Sequence, residues 1–510
     1  MTYGDDGRPI EHRGLITVSI MLATIMQAVD TTIANVALPH IQGAMSATVD
    51  QIAWVLTTYI VASAIMTPPT GWLAARFGRK RLFIVTVAGF TLASMLCGAA
   101  TSLSELVLFR VLQGAFGAGL VPLSQAVLLD SYPRERHGSA MAIWGLGVMV
   151  GPIIGPTLGG YLTDLYNWRW VFYINLPVGV LTLAGLYAFV PETVRSRGRR
   201  FDFFGFALLS LSIGALQLML DRGQTQDWFS SAEIITEAVL AGLCLYLFLV
   251  HMMTHKQPFI EPGLFKDRNL AAGLVFIFIF GIVLLATMAL LPPFLQDLMG
   301  YPVMTTGLVL APRGIGTMIA MVIVGRLIER MDARLLVGGG LLLMALALHE
   351  MSGFTTQVST ADIVRTGIIQ GLGLGLVFVP LSTITFATLA PHFRTEATAM
   401  FSLIRNLGSS IGISIVVGLL GEYTQINHAM MAAPVTPLNP LLHAPFLPPA
   451  WDLGTTRGLA AFNGEINRQA ATIGYLNDFK FMMYVTLLAL PLLPLMRRPP
   501  RAGTPQPVAE

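Results

Sequence analysis

The sequence predicts an all-α membrane protein of fourteen spans, and three observations carry that expectation. Of 510 residues, 54% are hydrophobic and 12% charged, about half the ~25% charge of a soluble domain, with a mean hydropathy of +0.68. Fourteen apolar runs succeed one another, each close to the ~20 residues that a ~30 Å hydrocarbon core requires. The first six and the last six read as copies, so two six-helix bundles with two inserted spans are expected.

A mixed-charge tail, residues 1–13, precedes the first run. That run contains Asp30, which argues for a retained helix and against a cleaved signal peptide. Spans are expected at 14–39, 52–72, 82–100, 105–128, 139–163 and 170–190, joined by the short connections of antiparallel neighbours, so 14–190 forms the first bundle. The inserted pair occupies 203–253 as Phe203–Leu220 and Ile234–Met253, joined by the net acidic DRGQTQDWFSSAE. Further spans at 270–293, 304–325, 335–352, 363–387, 397–420 and 480–496 make a second bundle over 270–496, with 497–510 as a tail. Between its last two spans, 421–479 is expected as a loop on the non-cytoplasmic side. APVTPLNPLLHAPFLPPAW is too rich in proline for a helix interior, whereas RGLAAFNGEINRQAATIGYLNDF has helical periodicity. A functional loop and a disordered spacer are the two readings.

Charge sets the orientation. With both termini in the cytoplasm, about 22 of the 31 Lys and Arg fall on that side and about five on the other. The four remaining arginines, Arg110, Arg313, Arg365 and Arg405, lie in spans. No nucleic-acid patch is implied, and Cys97 and Cys244, both in apolar runs, are expected to pack as small apolar groups. No nucleophile, base and orienting group recur together, so no enzymatic centre and no cofactor are expected.

The internal repeat is legible in matched stretches. RVLQGAFGAGLVP from Arg110 matches RTGIIQGLGLGLVFVP from Arg365, and PRER from Pro133 matches PHFR from Pro391. Gly71 and Gly325 stand 254 residues apart and Gln113 and Gln370 257 apart, which points to two parallel bundles with a site between them near the midplane.

Chemistry is concentrated on Asp30. An ionised Asp at mid-span costs ~2.5–3.5 kcal/mol even on insertion scales, so it must face water, find a partner or take up a proton. At ~1.5 Å per residue, Asp30 and Arg110 lie at compatible depths on antiparallel helices. One turn inward, Gln27 and Gln113 continue a polar stripe expected to line a substrate cavity. Asp30 and Arg110 are therefore the expected proton-coupling pair, with a static ion pair as the structural alternative. The repeat maps Asp30 onto Val283, among apolar neighbours, so titration is expected from one half only.

Several stretches together resemble the major facilitator superfamily, and within it the fourteen-helix EmrB/QacA drug:proton antiporter subfamily. VDTTIANVALP resembles its first-helix motif with an Asp, GWLAARFGRKRLF its loop after helix two, LFRVLQGAFGAG its fourth-helix arginine motif and GVMVGPIIGPTLGG its fifth-helix motif. LQLMLDRGQTQDWFSSAEII and NWRWVFYINLPVG are similar to the Emr-type branch of Gram-negative bacteria. One departure is plain: Ala75 stands where the family has an acid before Arg76, and the acid appears as Glu329 in the second copy.

The resemblance implies a major facilitator fold in a bacterial inner membrane and proton-driven export of amphipathic toxic compounds. It also implies a periplasmic adaptor (a membrane fusion protein) and an outer-membrane channel as partners, with 421–479 the place to look for contact. Gating residues are expected at Gly71, Arg76, Gly78 and Arg79. In the fifth span, Gly147, Gly151, Gly155 and Gly159 recur every four residues with Pro152 and Pro156 between them, a spacing that allows close packing and bending. The alternatives are a dedicated exporter of one metabolite (siderophore, antibiotic or fatty acid) and a non-transporting receptor or scaffold.

Overall fold

The computed structural model of the chain describes residues 12–133, 136–193, 200–328, 330–436, 439, 451 and 454–497. Nearly all of both terminal tails and Glu329 lie outside the described residues. Every regular element among those described is helical. Thirteen helices are long and apolar enough to cross a membrane, fourteen with one bent pair counted as a span.

Local chemistry sets the helix boundaries. α1 (Arg13–Met45) runs straight through Pro39, where the sequence suggested an end. α2 (Val49–Met66) opens on a reciprocal cap in which the Thr48 hydroxyl accepts from the Gln51 N–H and the Gln51 carbonyl from the Thr48 N–H. Pro68 and Pro69 remove two backbone donors, and the span bends by 56° into α3 (Thr70–Phe77). Gly78, at φ 91°, leads into α4 (Arg79–Ala99). α5 (Leu103–Gly117), capped by Ser102, and α6 (Leu120–Ser131) form one span broken at Ala118–Gly119. α7 (His137–Leu165), the single turn α8 (Trp170–Tyr173) and α9 (Asn175–Phe189) complete the first half.

The inserted pair is α10 (Phe203–Arg222) and α11 (Ala232–Thr254). The second half comprises α12 (Arg268–Pro293), which passes into a π-helical turn at Phe294–Leu298, α13 (Val303–Leu327), α14 (Ala333–Met351) and α15 (Thr360–Ala387). α16 (Arg394–Ala432) and α17 (Thr456–Leu488), with a 3-10 tail at Leu490–Leu495, close it.

Packing repeats as the sequence does. α1 lies on α7, α2 on α5 and α4 on α9, and correspondingly α12 lies on α16, α13 on α15 and α14 on α17. The halves meet where α7 packs on α13 and where α16 packs on α3 and α6, and Trp144 stacks on Phe378 across the seam at 6.1 Å. The inserted α10 belongs to neither half alone. It packs on both α2 and α16: Asp221 accepts from the Thr57 hydroxyl, and the Leu220 carbonyl accepts from the Ser414 hydroxyl at 3.0 Å.

The expected loop at 421–479 is corrected at both ends. Gly421–Ala432 continues α16, and Thr456–Phe479 is the first part of α17, so the stretch is mostly a helical hairpin. At ~1.5 Å per residue these helices, 39 and 33 residues long, exceed a ~30 Å core by about 20 Å or more. Hydropathy marks where a helix crosses lipid and not where it stops. Beyond the lipid, Glu465 accepts from Arg468 and Gln469 one turn on, and the His428 ring meets Asn463 at 2.9 Å across the hairpin. Most of the proline-rich tip, 437–438, 440–450 and 452–453, lies outside the described residues.

Candidate functional site

Asp30 sits on the face of α1 turned into the first bundle, 0% exposed. Arg110 Nη1 donates to its Oδ2 at 2.9 Å, Gln113 Nε2 to its Oδ1 at 2.8 Å, and Asn175 Nδ2 to the same Oδ1 at 2.9 Å. The three donors come from α5 and α9. Arg110, 1% exposed, is itself fixed: its Nε donates to the Val55 carbonyl on α2, its Nη1 also reaches Gln113 Oε1 at 2.7 Å, and its guanidinium lies 4.1 Å from the Tyr59 ring centre. On the far side, Asn175 Nδ2 donates to Ser94 Oγ on α4, which donates to the Phe172 carbonyl.

The arrangement is a carboxylate cage with a definite polarity. Every group bonded to Asp30 is a donor, so the ionised form is satisfied without water. The side-chain acceptors around the cage are already taken: Gln113 Oε1 by Arg110 and by the Cys97 thiol at 3.5 Å, and Ser94 Oγ by Asn175.

The expected residues divide. Asp30, Arg110 and Gln113 come together as the sequence suggests. Gln27 does not bond Asp30: it is half-buried and lies beside the Tyr59 hydroxyl. Asp30 also does not face an open cavity; of the three expectations, the structure realises the partner. Asn175, Ser94 and Tyr59 were missed. An amide inside an apolar run is the same signal that exposed Asp30, and Asn175 of NLPVG carries it.

The expected gating residues cluster at the basic end of the bundles. Gly71 lets α3 approach α16 so closely that a Cβ there would lie 2.9 Å from the Glu396 Cα. At Gly78 a side chain would be strained and would strike the Glu192 carboxylate. Arg76 is exposed, while Arg79 pairs with Asp130. Asp130 also takes Arg394 Nη1 of the second half at 2.5 Å, and the Thr398 hydroxyl donates to the Pro122 carbonyl beside it. The halves are thus closed on each other at this end. In α7, which continues through Pro152 and Pro156, Gly147, Gly151, Gly155 and Gly159 line the contact with α1. The Thr32 hydroxyl donates to the Gly151 carbonyl there.

In the second half, Val283 is apolar as expected, but the polar position lies one turn on. Thr287 accepts from Gln370 Nε2 at 3.2 Å, and Gln370 is the repeat counterpart of Gln113. Arg313 and Arg405 lie in spans with no carboxylate partner among the described residues. Arg313 Nη2 reaches the Leu284 carbonyl at 3.4 Å, and Arg405 Nη2 reaches Asn406 Oδ1 at 3.5 Å.

The sequence profile of the Major Facilitator Superfamily matches residues 20–413. The chain is 39% identical to the Multidrug export protein EmrB of Escherichia coli strain K12 over 437 residues, 85% of each chain. It is 36% identical to the Fatty acid resistance protein FarB of Neisseria gonorrhoeae over 495 residues, 96% of this chain and 97% of that one. Among solved structures, the human organic anion transporter TETRAN superposes with a TM-score of 0.61 at 13% identity, covering 94% of this chain and 99% of that one. A bacterial homologue of the human lysosomal transporter Spinster, inward-facing and occupied, gives 0.53 at 17% identity over 95% and 96% of the two chains. At these identities the structural likeness concerns the fold.

Proposed function

The chain belongs to the major facilitator superfamily and is a multi-pass protein of the bacterial inner membrane, and from that premise we propose that it exchanges protons for amphipathic toxic compounds, as a multidrug exporter. The observation that carries the coupling is the donor-only cage of Asp30. With both termini in the cytoplasm, the outward-open protein takes a proton on Asp30 as substrate leaves. Open to the cytoplasm, it releases the proton as new substrate enters. Each inward proton supplies ~2.3 kcal/mol per 100 mV and ~1.4 kcal/mol per pH unit. One proton therefore supports roughly a hundredfold gradient of a neutral substrate. Gln27 and Tyr59, which lie beside each other next to the cage, are the polar groups we assign to substrate.

Inverted membrane vesicles energised with a proton gradient test this reading. Native protein accumulates a lipophilic dye in response to the gradient, and Asp30→Asn accumulates much less. Gradient-driven uptake by Asp30→Asn equal to native would remove Asp30 from the coupling.

The α16–α17 hairpin is the surface we assign to a periplasmic adaptor, which would hand substrate to an outer-membrane channel. Its exposed Ile426, Met430 and Leu459 suit a protein contact. Shortening it to a tight turn abolishes resistance in cells while reconstituted protein still transports; loss of both would argue against docking.

A second reading, export of one dedicated metabolite, is favoured by Arg313 and Arg405. Cations without an acid partner in a span suit an anionic amphiphile, and the relative named for fatty acid resistance is in keeping with that. Competition of long-chain fatty acids against cationic dyes separates the readings: a dedicated exporter is blocked by one class only.

A further inference from the structure

In the second half, one acid is left outside every network so far described. Asp478 lies on α17, 0% exposed, and neither carboxylate oxygen has a hydrogen-bond partner among the described residues. Its helix neighbours are the buried Tyr475, Phe479 and Met482, and Phe294 of the π-helical turn packs on Tyr475 and Phe479 at 5.4 and 6.4 Å. Groups that commonly hold such an acid ionised are engaged elsewhere or apart. On α14, Glu350 takes Arg365 and Thr366, and His349 is exposed. On α16, Arg405 reaches Asn406 and Glu422 is exposed, while Asp297 of the π-helical turn and Asp478 both act on the Tyr475 hydroxyl. None forms an ion pair with Asp478.

The position repeats the first half with the roles exchanged. There, the first helix of the bundle supplies the acid (Asp30), the fourth span an amide (Gln113) and the sixth an amide (Asn175). Here the first helix supplies a hydroxyl (Thr287) and the fourth an amide (Gln370), while the sixth supplies the acid. The Thr287 hydroxyl also reaches Met482 Sδ at 3.7 Å, and Asp478 lies one turn from Met482 on the same buried face. Gln370 Oε1 is a buried acceptor without a donor.

We infer that Asp478 is a second proton-binding site, which loads the C-terminal half independently of the Asp30 cage. An ionised carboxylate buried without partners is costly, and the neutral acid much less so. Asp30 has the opposite surroundings, three donors, one of them a cation. The two acids therefore differ in kind: Asp30 stands within a network of donors, whereas Asp478 stands within none. The part of this inference that concerns transport rests on the proton-exchange reading; the binding part does not.

Infrared titration of purified protein reads the site directly. In an Asp30→Asn background, the carbonyl stretch of a protonated carboxyl is present and vanishes on adding Asp478→Asn, the isostere of the neutral acid. Asp478→Glu retains such a band, which separates loss of the acid from a folding defect. In proteoliposomes, Asp478→Asn alone lowers the substrate gradient sustained at 100 mV about fiftyfold, the equivalent of one proton. A band unchanged by Asp478→Asn overturns the site, and an unchanged gradient overturns its part in transport. Failure of the Asp30 reading shows separately, as a substrate gradient in Asp30→Asn equal to native with Asp478 intact.

Discussion

At the residue scale, the cage around Asp30 is built of donors alone, one of them a guanidinium, so its stability depends on the charge it surrounds. Replacing Arg110 by Met leaves a buried carboxylate without its cation and should cost about 3–5 kcal/mol, read as a lower unfolding temperature in detergent. Adding Asp30→Asn to Arg110→Met should recover much of that loss, since the uncompensated charge goes with it. Asn175→Leu removes a hydrogen bond to a charged acceptor, worth about 1.5–3 kcal/mol, and should also slow proton-driven transport. Asp30, Arg110 and Gln113 were legible because charges and amides in apolar runs stand out. Asn175 was equally visible, but its neighbours along the chain gave no reason to place it beside α1. That proximity depends on α1 packing on α9, a tertiary fact.

At the element scale, the α1–α7 seam depends on glycine to different degrees along its length. A Cβ on Gly151 would lie 2.4 Å from the Ala28 carbonyl carbon, and one on Gly155 2.0 Å from Thr32 Oγ1, whereas one on Gly160 meets nothing within 4 Å. Alanine at 151 or 155 should cost about 1–3 kcal/mol and impair transport, with Gly160→Ala near native in both; thermal unfolding and dye efflux check the series. The repeat of four was legible, but which face it served was not. Asp202 shows an element fixed by charge: burial acts to raise its carboxyl, yet hydrogen bonds from the Gly205 N–H, the His251 ring and the Phe259 N–H outweigh it and hold it below the usual range. Its contribution to holding α10 against α11 is complete above about pH 4 and is lost as pH falls through the lower folded value. The α16–α17 hairpin was misjudged because an amphipathic continuation outside lipid has no hydropathy signal.

At the scale of the whole molecule, Asp130 ties the halves together at the basic end by taking Arg79 from its own half and Arg394 from the other. Arg394→Gln should shift the protein toward the state open at that end, seen as a longer distance between spin labels on α3 and α16. The doubled six-helix architecture was legible from the repeat, since matched stretches kept nearly constant spacing. The place of the inserted pair was not, because nothing in an apolar run says which neighbour it covers. A two-fold arrangement of bundles has two seams facing the bilayer, one between α2 and α16 and one between α7 and α13. With α10 laid along the first, that seam is fenced from lipid. A compound dissolved in the membrane then has a single side entrance, and a lipid-soluble photoactivatable substrate should label α7 and α13 while leaving α2 and α16 unmarked.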